Sequence, residues 1–142
     1  MSRKMDLKEK YINFIKGLQL KNIQLLECAM KKDEEFLPIN VDLTVEEKVK
    51  YKNTQGGFVV YFTFNLLAVN KEKETEKKFS IKAKYKVTYV SKDKVTKELF
   101  ELFAGSTLIL HLWPYFRQLV HDFTTRAGLP PLVLPVVKMV KQ

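Results

Sequence analysis

Two histidines, His111 and His121, are the side chains best suited by type to acid–base or metal chemistry near neutral pH. They fall in one predicted helix, where their spacing separates them by about 80° around the axis and roughly 15 Å along it. At that separation they cannot share a metal ion without further ligands. His121 and Asp122 are adjacent, and helix neighbours at i,i+1 do not face each other, so they do not form a base with its orienting carboxylate. Cys28 is the single cysteine, which excludes an internal disulfide and points to a reducing, cytoplasmic setting. No CxxC, HExxH, GxGxxG, Walker A or GxSxG string occurs, so spacing supplies no zinc site, phosphate cradle or nucleophile elbow. Both histidines read as packed or surface helical residues, and the chain as a non-enzyme with no metal and no cofactor.

Charge is the other chemically suggestive feature. Lys and Arg number 25 against 16 Asp and Glu, a formal charge of +9 that raises nucleic acid as a partner. Only Arg3, Arg117 and Arg126 are arginine, however, and bidentate or stacking contacts favour arginine. Lys82, Lys84 and Lys86 alternate onto one face of a predicted strand, whereas Phe79, Tyr85 and Tyr89 alternate onto the other. Single-strand readers set aromatic platforms among the charges. The pattern argues against a basic nucleic-acid-binding module and for a solvated lysine face that discourages edge pairing or attracts an acidic partner.

The elements that carry these residues follow from periodicity. Residues 6–19 place Leu7, Tyr11, Phe14, Ile15 and Leu18 at helical spacing, an amphipathic helix that must lie on something. The period then changes to two. Residues 20–30 form a first strand, in which Leu25-Leu26 implies a bulge or cover on both faces. Ile39, Val41, Leu43 and Val45 begin a half-buried second strand that runs through Tyr51. A turn over residues 52–57 leads to a third, with Phe58, Val60, Phe62, Phe64, Leu66 and Ala68 on one side. Residues 70–78 are nearly all charged and read as a solvated hairpin loop. Phe79 to Tyr89 alternate as a fourth strand. Thr96 is a candidate N-cap and Gly105 a stop for a short helix, and a longer helix ends near Gly128. Pro114 must kink that helix or restart it. Three prolines, at 130, 131 and 135, exclude regular helix in the apolar end.

Strands segregated from helices give an α+β layer with a four-stranded antiparallel sheet. The 142 residues read as one domain, with a helical extension over 1–19, the sheet over 20–90, helices over 95–128 and an extended apolar tail over 129–142. At this length folding hides roughly 70% of the unfolded surface, enough for a core without staples. The start of the chain has no apolar run that would serve as a signal peptide, and residues 58–69 are too short and polar to span a bilayer, so no membrane insertion is expected.

Residues 110–134 resemble the SecB family of protein-export chaperones and their relatives associated with toxin–antitoxin systems. An aromatic-Pro-x-x-Arg pattern is met by Pro114, Tyr115 and Arg117, and Gly-x-Pro with an apolar loop by Gly128, Pro130, Leu132 and Leu134. Leu20-Lys21-Asn22-Ile23 is similar to the family's first strand. The resemblance implies a homotetramer, a dimer of dimers with the long helix packed at the oligomer interface, and ATP-independent holding of non-native polypeptide. It implies client contacts at Phe36 and Leu37 in the crossover over residues 31–38, at Ile39, Val41 and Leu43 in strand two, and at Leu129, Leu132 and Val133 in the loop. Pro114, Tyr115, Arg117, Gly128 and Pro130 are implied as structural. Export members are acidic and dock a translocase ATPase through carboxylates on the outer sheet face, where this chain carries Asn22 and Lys82. That reversal argues against such docking and favours an antitoxin as the client over a preprotein.

Overall fold

Asp6 opens the first helix in the computed structural model, which describes residues 6–70 and 76–132. Its carboxylate accepts the Glu9 N–H at 2.8 Å and caps α1 (Leu7–Lys16). The helix ends before the predicted residue 19, because the Gly17 N–H turns back to the Asn13 and Phe14 carbonyls and Gln19 already belongs to the sheet. One side of α1 is apolar, and Phe14 carries it into the core between Phe58 and Phe103, with ring centres 5.9 and 5.7 Å away.

Four long strands follow: β1 (Gln19–Lys32), β2 (Val41–Thr54), β3 (Gly57–Asn70) and β4 (Lys78–Val90). All pairings are antiparallel and the spatial order is β1-β4-β3-β2, so the crossover after β1 traverses the whole sheet. The β2–β3 hairpin turns at Gln55-Gly56, where Gly56 has φ +82°, and a Cβ on Gly57 would overlap the Tyr89 carbonyl. Ladder shifts in β1 fall between Leu20 and Asn22 and between Leu25 and Glu27, so Leu26 occupies a bulge.

Every core-facing residue of β3 and β4 from Phe58 to Ala68 and from Phe79 to Tyr89 is buried, as the alternation requires. β2 departs from the half-buried expectation. It begins at Val41 rather than Ile39, since Asn40 takes a left-handed φ of 52° and breaks the ladder. As an edge strand it leaves Leu43 and Val49 exposed, and it is covered where Tyr51 stacks on Phe100 at 4.1 Å.

Thr96 and Gly105 bound α2 (Lys97–Ala104), with the Thr96 hydroxyl accepting the Leu99 N–H at 3.3 Å. α3 (Thr107–Arg126) runs through Pro114 without restarting. Pro114 and Leu110, whose carbonyl loses its partner at the proline, both lie on the exposed side, where water can satisfy that oxygen. The opposite side buries Leu108, Ile109, Leu112, Trp113, Phe116 and Val120, with Phe116 stacked on Phe64 at 4.3 Å. Tyr11 joins α1 to the start of α3: its hydroxyl lies 2.8 Å from both Ser106 Oγ and Thr107 Oγ1. Among the described residues no helix is long and apolar enough to cross a membrane.

Candidate functional site

The histidines are far apart in role as well as position. His111 Nδ1 lies 2.8 Å from the Tyr89 hydroxyl, and burial holds the imidazole below its ordinary pKa while raising that of Tyr89. His121 sits on the exposed side of α3, its Nδ1 4.0 Å from Asp122 Oδ1. That approach of neighbours was not expected from their helical spacing, and an exposed contact at this distance contributes little. Among the described residues no group of three or more His, Cys, Asp or Glu is placed to hold a metal ion.

The crossover, the start of β2 and the end of α3 instead converge on an apolar hollow. Its floor is a single row across the sheet, in which Leu43 pairs with Ala68 and Ala68 with Phe79. Ala68 is the one small side chain at that end of the β3 core face, and its missing volume leaves a space between larger neighbours.

The first wall is the crossover, and polar side chains fix it. Asp33 exchanges backbone hydrogen bonds with Lys78, accepting the Lys78 N–H at Oδ2 (2.8 Å) and donating its own N–H to the Lys78 carbonyl (2.9 Å). Asn70, only 8% exposed, accepts the Leu37 N–H at 3.2 Å and donates to the carbonyls of Leu37 and Ile39 at 2.6 and 3.0 Å. Both of its amide hydrogens and its carbonyl oxygen are engaged by the crossover backbone. Phe36 is thereby held inward, 5.8 Å from the Phe79 ring.

The second wall begins at the end of α3. The Leu129 N–H returns to the Thr124 carbonyl at 3.0 Å and the Gly128 N–H to the Thr125 carbonyl at 3.1 Å, with Gly128 at φ +73°, which is a Schellman cap. The Thr124 hydroxyl, on a residue 2% exposed, donates within α3 and accepts the Leu132 N–H at 3.1 Å. These bonds fold residues 129–132 back toward the sheet.

Between the walls is a cavity of about 370 Å³. Of the residues expected to meet client, Phe36, Val41, Leu43, Leu129 and Leu132 line it. Leu37 and Ile39 do not: they are 58% and 62% exposed, because the Asn70 clamp turns their backbone inward and leaves their side chains outside. Val133 lies outside the described residues, as does Leu134. Of the motif residues, Pro130 lines the cavity, Gly128 closes the cap, Pro114 and Tyr115 are exposed on α3, and Arg117 is half-buried there.

Sequence reasoning missed Pro38, Ala68, Phe79, Thr124 and Pro131 in the lining, and Asn70 as the clamp. Asn70 opens the segment read as a solvated loop, and only its burial distinguishes it. Tyr61 also escaped notice: it stands on the lysine face, with Lys84 Nζ 5.7 Å from its ring centre.

A family model described as preprotein translocase subunit SecB matches residues 3–141. No curated protein matches the chain. Among solved structures, a SecB-like chaperone of Mycobacterium tuberculosis, in complex with a ChAD peptide from the HigA1 antitoxin, is 21% identical, with a TM-score of 0.78 over 94% of this chain and 99% of that one. A protein of unknown function from Streptococcus agalactiae is 13% identical, with a TM-score of 0.43 over 83% of this chain and 96% of that one.

Proposed function

The chain belongs to the SecB family, and on that premise we propose that it is a non-catalytic, ATP-independent chaperone whose apolar groove holds a non-native polypeptide, the antitoxin of a toxin–antitoxin module. The observation that carries this reading is the groove itself. Two walls fixed by hydrogen bonds to Asn70 and Thr124 hold open a hollow lined by Phe36, Val41, Leu43, Leu129 and Leu132. A rigid apolar hollow at the surface has water to release when an extended apolar segment enters it.

Such a site selects for apolar side chains without reading a sequence. A client burying about 500 Å² of apolar area gains roughly 12 kcal/mol gross, much of it offset by ordering the client. Leu37 and Ile39, exposed beside the hollow, extend the apolar surface along the path the client takes.

The antitoxin reading draws support from the fold shared with the mycobacterial chaperone that was solved with an antitoxin peptide. General or preprotein-export chaperoning is the second reading, favoured by the description of the family model. The lysines of the outer sheet face weigh against docking of the translocase ATPase in the manner of acidic family members. We read the chain as one domain that works in the cytoplasm as a tetramer. The exposed apolar residues Leu20, Leu25 and Leu26 on the β1 edge and Leu110 and Tyr115 on α3 are the surfaces that assembly would cover.

Co-expression with an antitoxin encoded beside this chain's gene, and with its toxin, tests the proposal. The antitoxin is expected to stay soluble and neutralise its toxin only with this protein present, and an antitoxin active without it would refute the assignment. Binding to the translocase ATPase would favour the second reading.

A further inference from the structure

On the sheet face away from the helices, β2 and β4 carry two parallel columns of lysine. The pairing register sets Lys50 and Lys86 on either side of Tyr61, and Lys48 and Lys84 on either side of Thr63. Lys52 extends the first column beside Val59 and Lys82 the second beside Asn65. Directly paired residues share a face, so these six side chains leave the same side of the sheet. Successive lysines in a column are roughly 6.8 Å apart, within about one Debye length at physiological salt, so their fields add. Across the four rows that hold the six lysines, through Val59, Tyr61, Thr63 and Asn65, the carboxylates are Glu27, ion-paired to Lys82 at 3.4 Å, and Glu46 at the β2 end of the Asn65 row.

We propose that this face docks an acidic polypeptide segment, separately from the apolar groove. An extended chain repeats its side chains on one side at the same spacing as the lysine columns, so alternate carboxylates of a partner meet successive ammonium groups. Nucleic acid is the competing polyanion, and three observations disfavour it. The six cations are all lysine, without the planar fork that grips phosphate. Tyr61 is the sole aromatic on this face among the described residues, and it is half-buried. The Lys84 ammonium covers its ring at 5.7 Å, where a base would have to stack.

The test uses the full chain and two labelled probes, an oligo-glutamate of about twelve residues and a single-stranded DNA of matching charge, with affinity read by fluorescence anisotropy at low and physiological salt. The peptide is expected to bind more tightly than the DNA. A Lys50→Glu/Lys84→Glu/Lys86→Glu variant should weaken peptide binding by about tenfold or more, whereas Lys92→Glu/Lys94→Glu/Lys97→Glu, with the same change in net charge off this face, should leave most of it. Lys50→Gln/Lys84→Gln/Lys86→Gln shifts affinity in the same direction and serves if the glutamate variant does not fold. Equal losses from both glutamate variants, tighter binding of the DNA, or no peptide binding at low salt would each overturn the proposal.

Discussion

Asn70 grips Leu37 at both of its backbone polar groups, accepting the N–H at 3.2 Å and donating to the carbonyl at 2.6 Å. The clamp ties the end of β3 to a crossover that has no ladder partner of its own at this point. In Asn70→Ala the Leu37 N–H and the Leu37 and Ile39 carbonyls lose these partners together. The expected cost is about 1–3 kcal/mol of stability. Apolar peptide binding should weaken further than the lower melting temperature explains, because the wall carrying Phe36 loosens. Chemical denaturation alongside peptide titration checks both, and unchanged peptide affinity would contradict the clamp's role.

Thr124 does for the opposite wall what Asn70 does for the first. Thr124→Val keeps the shape of the side chain and deletes the hydroxyl that accepts the Leu132 N–H at 3.1 Å. A loss of about 1 kcal/mol is expected. Faster amide exchange at Leu132, with the helical amides of α3 unaffected, is the signature to look for by hydrogen exchange.

A charge inside the groove separates holding from folding. Leu43 is 41% exposed, so Leu43→Glu buries little charge in the free protein. With client bound, the carboxylate is trapped against apolar side chains, at a cost of several kcal/mol. Suppression of client aggregation, followed by light scattering, should be lost while the thermal unfolding midpoint moves little.

Where a feature depended on residues a few positions apart, the chain declared it in advance. Thr96 and Gly105 bounded α2, the doublet Leu25-Leu26 offered a bulge or cover on both faces, of which the bulge is found, and the alternation from Phe58 to Ala68 named a whole core face. What stayed hidden depends on partners distant in sequence. Asn70 bonds a backbone 33 residues away, and Tyr11 meets Ser106 across 95. In the groove, five of the eight expected client residues line the hollow, and alternation accounts for Val41 and Leu43, the two that lie in a strand. Leu37 and Ile39 stand outside the hollow, where no periodicity governs the crossover and a side-chain clamp sets its direction.

Stability should fall toward both ends of the pH scale, from different groups. Burial depresses His111 below its usual 6.5, so the unfolded chain binds the proton first as pH drops. Its contribution is complete above about pH 6.5 and is lost as pH falls through the lower folded value. At the alkaline end Tyr85 is pushed up to about 12 by burial and by the nearby Cys28. Burial raises Tyr89 in the same direction. The unfolded tyrosines ionise near pH 10, so stability declines above that value. Denaturant midpoints measured against pH should show the acid limb flatten in His111→Gln and the alkaline limb in Tyr85→Phe.

The two glycines of the β2–β3 turn are distinguishable by the size of the damage. At Gly56 a methyl group meets open space, and only the φ of +82° is strained, so Gly56→Ala should cost about 1 kcal/mol. At Gly57 the backbone is ordinary, but a Cβ would overlap the Tyr89 carbonyl, part of the β3–β4 ladder beneath the stacked rings of Phe58 and Tyr89. The two central strands would have to part there, and this is the end of the sheet on which Phe14 seats α1. Gly57→Ala should therefore cost several times more than Gly56→Ala and loosen α1 as well. Melting curves of the two variants, with hydrogen exchange over residues 7–16, give the comparison. Equal destabilisation would show that close contact with Tyr89 does not constrain the hairpin.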